Sequence, residues 1–311
     1  MTKVWDTHKY YDTIHAYGNL TTRSCQRSVS IEGLENIPKD GAVILAPNHR
    51  TALMDPMMVL LISKGKIAFG ARSDIFKNPK VARILRWLRI LPIARERNGL
   101  SEVAKNFETF DEIVECLEHD VPFCLFSEGM HRAERGMLPV KKGIFRIAKM
   151  AADKLGKKVY VVPMGLDYED FFQGQRRTAI RVGEAIEIGE TFRTLEAECR
   201  SEAEIYRHLC ETLRERILAL IDRIPERGHG NKLLRLLGAV VSLPLFAVCA
   251  VGSIFIWLPL LIITSRLKDK AWTQTVRYVM HLIFPLFWPF HICLERLLNF
   301  YRDLAADFRR G

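Results

Sequence analysis

Residues Ala42-Val43-Ile44-Leu45-Ala46 form a short run of small and β-branched apolar side chains. The run ends abruptly in the polar stretch Pro47-Asn48-His49-Arg50-Thr51-Ala52-Leu53-Met54-Asp55-Pro56. Such a run reads as a buried strand that can sit inside a sheet. Pro47 and Pro56 both interrupt regular structure, so His49 and Asp55 are expected on the loop at the strand's carboxyl end. In open α/β sheets that edge is where ligands bind. Six steps along a straight helix turn through about 240° and point two side chains apart, so the pair meets only if the segment folds back as a tight turn. An imidazole held by a carboxylate through one nitrogen presents the other as a base near neutral pH. The alternative is a surface histidine and a helix-capping aspartate.

Further along, short apolar runs alternate with helical patterns. Val29–Ile37 reads as a strand and turn, Met57–Ile62 as a helix and Lys66–Phe69 as a strand. Ile90–Ile93 and Val121–Phe126 read as buried strands, Phe107–Leu117 and Gly143–Leu155 as helices. Val159–Val162 is a strand closed by Pro163, Ala179–Ile188 a later strand, and Glu202–Ile224 a long amphipathic helix with i,i+4 charge pairing. The alternation predicts an α/β fold, a mixed sheet flanked by helices.

A composition break follows. The 30 residues between Arg235 and Arg266 carry no charge, longer than the roughly 20 needed to cross a bilayer. Pro244 and Pro259 allow kinks. A second charge-poor run, Tyr278–Leu294, is rich in Phe and Trp and broken by Pro285 and Pro289. Together the runs predict a C-terminal hydrophobic helical hairpin. Basic residues flank it on the loop (Arg266, Lys268, Lys270, Arg277) and outside (Lys232, Arg235, Arg296, Arg302), so charge asymmetry assigns no orientation. A hairpin dipping into one leaflet would keep every basic flank on one side. Two other segments suit a membrane surface. Val4–Leu20 places Trp5, Tyr10, Tyr11 and Tyr17 among lysines and histidines, although packing against the main domain fits equally well. Pro79–Arg89 sets Arg83, Arg86 and Arg89 every third residue among Ile84, Leu85, Trp87 and Leu88, a basic amphipathic helix. The expected organisation is an interfacial helix over 1–28, an α/β domain over 29–228 and a membrane hairpin and tail over 229–311.

The net charge of +10 calls for an anionic partner, and a 30-residue uncharged run turns that reading toward lipid and away from nucleic acid. Seven cysteines without a C-x-x-C pair make a poor disulfide framework and point to a reducing compartment. The first residues have neither an apolar h-region nor a small-residue cleavage site, so no secretory signal is expected. Nine histidines include no H-E-x-x-H, and no Cys/His cluster has zinc spacing, so no metal is expected. A serine or cysteine hydrolase would need a nucleophile turn. No G-x-S-x-G elbow is present, and Ser127 is the one suggestive serine.

Four stretches stand at the ends of expected strands: Asn48 to Asp55, Leu91-Pro92-Ile93-Ala94-Arg95, Phe126-Ser127-Glu128-Gly129-Met130-His131-Arg132, and Val161-Val162-Pro163-Met164. In order and approximate spacing they resemble the four blocks of the glycerophospholipid acyltransferase superfamily, lysophosphatidic acid acyltransferase type, over roughly residues 30 to 190. The first block is the N-H-x-x-x-x-D signature in full. The resemblance implies a membrane-bound O-acyltransferase with His49 as general base and Asp55 orienting it. It implies Arg95 as the first acceptor phosphate ligand, with Arg72 a weaker candidate, and Asn48, Glu128, Gly129 and Pro163 as groups that shape the site. No cofactor is implied. The donor is an acyl-CoA or acyl-carrier-protein thioester, the acceptor a lyso-lipid, and the place a phospholipid membrane with the catalytic domain on its cytoplasmic face.

The third block departs from the family's common Phe-Pro-Glu-Gly-Thr-Arg-Ser. Ser127 replaces proline, Met130 replaces threonine, His131 stands where arginine belongs, and Arg132 follows one residue late. Either Arg132 or His131 is then expected at the acceptor phosphate, and the acceptor stays open among lysophosphatidic acid, glycerol 3-phosphate and an amino-acid-containing lyso-lipid. The non-enzymatic alternative is a membrane-anchored lipid-binding protein. An intact His49/Asp55 turn weighs against it, because binding alone needs no base.

Overall fold

The structure, a computed structural model, describes residues 3–6, 10–63, 66–94, 106–225 and 231–310. Eight strands form one sheet: β1 (Ser28–Glu32), β2 (Ala42–Pro47), β3 (Ala68–Arg72), β4 (Ile90–Ile93), β5 (Phe123–Cys124), β6 (Val159–Tyr168), β7 (Arg177–Val182) and β8 (Ile186–Glu187). The order is β1-β7-β6-β2-β5-β3-β4, with β8 also on β6. Pairs from β6 through β4 are parallel, and β7 and β8 run antiparallel to β6, so the sheet is mixed as expected.

Strand β2 lies between β6 and β5 and is buried along its whole length. Its residues alternate between two cores, as the two-residue period of a strand requires. Ala42, Ile44 and Ala46 face one core, Val43 and Leu45 the other. The first core is filled by helices α4 (Asn106–Glu118), α5 (Gly143–Leu155), α6 (Ile188–Ala197) and α7 (Glu202–Leu218), which follow α1 (Tyr11–Cys25), α2 (Met54–Leu60) and α3 (Pro79–Trp87) in the chain. Ser201 and Glu204 close a capping box at the start of α7, a reciprocal bond pair that fixes its first turn. The second core takes Cys25 from α1, Met54, Met58 and Val59 from α2, and Tyr278 from the C-terminal region.

Some expected elements differ. The strand read over Val121–Phe126 pairs only at Phe123 and Cys124, so its exit turns early into the third block. Pro163 does not close its strand; β6 continues to Tyr168. Residues Tyr160 and Val161 pair with β8, and pairing with β7 begins at Met164. The Pro163 carbonyl accepts from Gly183 N at 2.9 Å on that side, so its nitrogen faces the gap between two partners, where no ladder donor is required. Helix α3 is amphipathic, but Arg86 pairs with Glu112, at 2.6 Å for the closer contact, and Arg89 lies beyond the helix with φ +62°. Arg89 is buried and donates to the carbonyls of Val4 and Asp6 at 2.7 and 2.8 Å, so it is no part of a lipid-facing arginine row. Arg83, Val81 and Ile84 are exposed.

The aromatic N-terminus packs inward. Trp5 stacks on His119 at 3.6 Å, Tyr11 meets Trp87 edge to face, and Tyr17 OH donates to Leu282 O at 2.6 Å.

The C-terminal runs do not make a two-arm hairpin. The first is broken into α8 (Lys232–Val241), α9 (Leu243–Gly252) and α10 (Ile254–Arg266), the second into α11 (Thr273–Ile283) and α12 (Trp288–Arg310) around Pro285. Among the described residues, no single helix is long and apolar enough to cross a membrane. Two bent pairs pass by length and composition, α8 with α9 at 50° and the α11 and α12 regions at 102°. Helices α8 and α9 lie along α12, with Arg235 paired to Asp307 and Ser242 Oγ 2.9 Å from Tyr301 OH, while α10 lies along α11 with Phe255 against Phe284. The outcome is a layer of α8, α9 and α10 with an exposed apolar face, Val241 and Val251 being 79% and 75% exposed.

Helices α11 and α12 in turn hold the loop after β6 through polar contacts. Arg277 binds Glu295 at 2.6 Å and Phe172 O at 3.1 Å, and Asn299 Nδ2 donates to Gly174 O at 2.8 Å. A Cβ on Gly174 would lie 2.0 Å from Glu295 Oε2, so the approach requires glycine. Behind this clasp, Ser24 Oγ, His281 and His291 form a chain, with 2.7 Å from Ser24 to His281 Nδ1 and 2.7 Å from His281 Nε2 to His291 Nδ1. Ser24 gives its proton to Thr21 O, so the chain closes with both rings neutral, each ring donating through Nδ1.

Burial, and then the charge on its neighbours His291 and Arg277, pushes His281 from 6.5 down to about 3; burial and Arg277 do the same to His291. Below 6.5 the unfolded chain binds protons that these folded imidazoles refuse, so stability is present above that value and is lost as pH falls toward about 3. Urea midpoints should therefore drop as pH is lowered from about 6.5 to about 5, and a His281→Gln/His291→Gln double variant should flatten that slope. An equally steep slope in the double variant would assign the acid sensitivity to other groups.

Candidate active site

The exits of β2, β5 and β6 gather at the carboxyl edge of the parallel strands. After β2 the chain turns back on itself at Ala52, which has φ +38°, a conformation costing a residue with a Cβ about 1–3 kcal/mol. Helix α2 begins at Met54, so Asp55 stands in its first turn and not on the loop. The reversal brings Asp55 Oδ2 to 2.7 Å from His49 Nδ1. The expected tight turn and the pair it unites are both present.

Asp55 is fully buried, and its carboxylate is surrounded by donors. Oδ2 also accepts from Arg50 N at 2.6 Å and Thr51 N at 2.8 Å; Oδ1 accepts from Thr51 Oγ1 and Tyr168 OH, each at 2.7 Å. Burial alone would raise its pKa, but the His49 contact and the Thr51 donors outweigh it and hold the carboxyl below its ordinary value. Tyr168, buried beside that charge, is pushed well above the usual phenol range. The His49 side chain retains 16% exposure, and Nε2 is the nitrogen left for substrate. An ionised carboxylate fixed on Nδ1 orients the ring and leaves Nε2 as the open nitrogen, the arrangement a general base requires.

The third block forms the opposing wall. Glu128 is buried and bridges two backbones, accepting from His49 N and Leu138 N at 2.7 Å each. Burial raises its pKa above the ordinary carboxylate value. Gly129 takes φ +74°, the left-handed conformation that favours glycine. Arg132 N donates to His49 O at 3.1 Å, so the two turns are laced together. Phe126 stacks on the His49 ring at 4.2 Å and His131 stands edge-on to it at 5.3 Å. Asn48 is fully buried and bonds both backbone groups of Leu166 on β6, at 3.1 and 2.7 Å, which fixes the β2 exit against the neighbouring strand. Pro163 lies opposite Ala46 on β6, within the sheet.

The expected phosphate ligands divide. His131 faces the dyad. Arg132 contributes its backbone there, while its side chain pairs with Glu134 at 3.2 Å. Arg72, at the end of β3, is turned to Asp74 through both Nε, at 3.0 Å, and Nη2, and is not part of the cluster around His49. Arg95 lies outside the described residues. Ser127 Oγ is buried with no hydrogen-bond partner among the described residues, so no base is bonded to it and the geometry does not make Ser127 a nucleophile.

Sequence reasoning missed several groups. Arg50 is buried, clamps Asp222 at 2.9 and 2.8 Å, donates to Gly136 O and lies over the Phe171 ring. Tyr168 and Asp222 carry no local motif and become visible only through sheet pairing. The C-terminal segment also reaches the site: Thr275 Oγ1 accepts from Leu53 N at 3.2 Å, and Asp269 lies 2.8 Å from His131 Nε2.

The family model described as Acyltransferase matches residues 28–167, from the first residue of β1 to the penultimate residue of β6. All four blocks lie inside that span. Among solved structures, the chain is similar to the 1-acyl-sn-glycerophosphate (LPA) acyltransferase PlsC from Thermotoga maritima. That likeness has 22% identity and a TM-score of 0.47, and covers 70% of this chain and 81% of that one. No curated protein matches the chain.

The α/β domain depends on Asp55 accepting from every one of its donors. In Asp55→Asn an amide replaces one accepting oxygen with a donor, which strands neighbouring donors in a buried site at about 1–3 kcal/mol each. Urea unfolding should show that loss, whereas Tyr168→Phe, which removes one donor and strands none, should cost about 1 kcal/mol. Equal, small losses in both variants would contradict this account of the carboxylate.

Proposed function

We propose that the chain is a membrane-bound O-acyltransferase that moves a fatty acyl group from an acyl thioester to the free hydroxyl of a lysophospholipid. The observation that carries this reading is the His49–Asp55 pair, its carboxylate wholly desolvated and its imidazole open on one side. The match of residues 28–167 to the acyltransferase family model supports it.

In the proposed reaction, His49 Nε2 takes the proton of the acceptor hydroxyl as its oxygen attacks the thioester carbonyl. The tetrahedral intermediate collapses with loss of the thiolate, which takes the proton back from the imidazolium. One C–S bond breaks and one C–O bond forms, and no protein nucleophile or cofactor is needed. The donor is an acyl-CoA or acyl-carrier-protein thioester. The acceptor is 1-acylglycerol 3-phosphate, with glycerol 3-phosphate or an amino-acid lyso-lipid as the second reading, because His131 occupies the place of the family's arginine. His49→Ala should lower thiol release from acyl-CoA with lysophosphatidic acid by roughly 10² to 10⁴, the usual worth of a positioned base. Equal rates in variant and wild type would remove the catalytic reading and leave a lipid-binding protein. An acceptor panel of lysophosphatidic acid, glycerol 3-phosphate and neutral or amino-acid lyso-lipids selects among substrates.

The same proposal sets the layer of α8, α9 and α10 on a phospholipid surface, its bent helices lying within one leaflet and the domain on the cytoplasmic face. The exposed apolar side of that layer supports this, as do the exposed basic residues Lys232, Arg266 and Lys268 at its ends. Seven unpaired cysteines support a reducing compartment. Val241→Asp with Val251→Asp should abolish flotation with anionic vesicles while leaving the unfolding midpoint unchanged, since both side chains are exposed. Undiminished flotation would move the lipid contact elsewhere.

A further inference from the structure

The segment from Asp269 to Thr275 follows α10, on the exposed apolar layer, and runs into the first turn of α11, which packs on the sheet-bearing domain. It touches both turns of the active site. Thr275 meets the first turn at Leu53 N, and Trp272 and Asp269 meet the second at His131, Trp272 edge to face at 5.9 Å. The Asp269 carboxylate is held at two points: Oδ1 accepts from Ala271 N at 2.9 Å and caps a short 3-10 turn over Lys270–Trp272, and Oδ2 engages His131 Nε2 at 2.8 Å. His131 is thereby fixed between His49 and Trp272, with Nδ1 left without a protein partner among the described residues.

As a stability element the pair is minor. The Asp269 side chain is 54% exposed, and such pairs contribute about 0–1 kcal/mol. Its geometry matters more, because a ring that is free to rotate cannot present one nitrogen to a ligand beside the base. His131 is also the position at which the third block departs from the family pattern.

We propose that Asp269 is a positioning residue of the acceptor site, holding His131 through Nε2–H so that the ring, in its doubly protonated form, donates Nδ1–H to the phosphate headgroup, and that the C-terminal segment is thereby a working part of the acyltransferase site. The inference rests on the proposed acyl transfer to a phosphate-bearing lyso-lipid. It assigns acceptor recognition to a residue 138 positions from its partner and outside the matched family segment.

The test is steady-state kinetics on the full chain with acyl-CoA and lysophosphatidic acid on vesicles. Asp269→Ala should raise KM for the acceptor about tenfold, the worth of roughly one hydrogen bond to a charged group, with kcat and vesicle flotation unchanged. Asp269→Glu should recover most of the loss. Placed on a His131→Ala background, Asp269→Ala should add nothing, since it acts through that ring. An unchanged KM in Asp269→Ala, or full additivity with His131→Ala, overturns the proposal. So does a fall in kcat, flotation and unfolding midpoint together, which would make the contact structural only. Failure of the underlying reading looks different: wild type and His49→Ala would then release thiol at the same rate whatever stands at position 269.

Discussion

The buried carboxylate of Asp55 is the interaction on which the rest of the site depends. Taking a carboxylate out of water costs several kcal/mol even after the surroundings relax. Here the cost is offset by five donors drawn from two places, four from the exit of β2 and one from the end of β6, around a carboxylate in the first turn of α2. None of them can move far without stranding the charge. The base is therefore held by the same contacts that join two adjacent strands to the helix after them, and the strained turn at Ala52 is maintained by what it makes possible.

The same device recurs around the carboxyl edge of the sheet. Glu128 joins the backbones of His49 and Leu138; Asp222 joins Arg50, Arg135 and Gly136 N, and its carboxyl is held far below the ordinary range, burial being outweighed by those two guanidinium groups. Asp167 gathers Arg181 with the backbone of Arg223 and Ile224. A chain with a net charge of +10 thus keeps acidic groups inside as cross-links between distant segments, and leaves much of its basic excess outside.

What could be read in advance follows from how local the physics is. The His49/Asp55 turn was legible because both residues, the strand before them and the interrupting prolines lie within fifteen positions. The mixed sheet was legible from alternating apolar runs. Asn48 and Glu128 could be picked out by their blocks but not by their contacts, because Leu166 and Leu138 become neighbours only in the folded sheet. Arg89 was misplaced because helical spacing was extended past Trp87, where the chain leaves the helix through a left-handed residue. The second C-terminal run, Tyr278–Leu294, reads only as charge-poor because histidine does not register as charge, and Gln274 lies just before it. Yet Gln274, His281 and His291 build the buried face on which α11 and α12 dock. Tyr168, Asp222 and Asp269 belong to no local pattern.

The segment that bridges the two turns has a consequence for the order of assembly. Leu53 and Thr275 are 222 residues apart, and Tyr17 and Leu282 are 265 apart. Closing a loop ten times longer costs only about 2 kcal/mol more, because the entropy grows with the logarithm of length. Such contacts are affordable in the finished fold yet slow to find, since long separations must be closed before they are rewarded. The two turns share neighbouring strands and can form with them, whereas the bridge across both closes only after residues 269–275 have been made. A chain emerging in sequence therefore acquires its sheet and the two turns before the contacts that tie those turns together, which arrive with the last elements to dock.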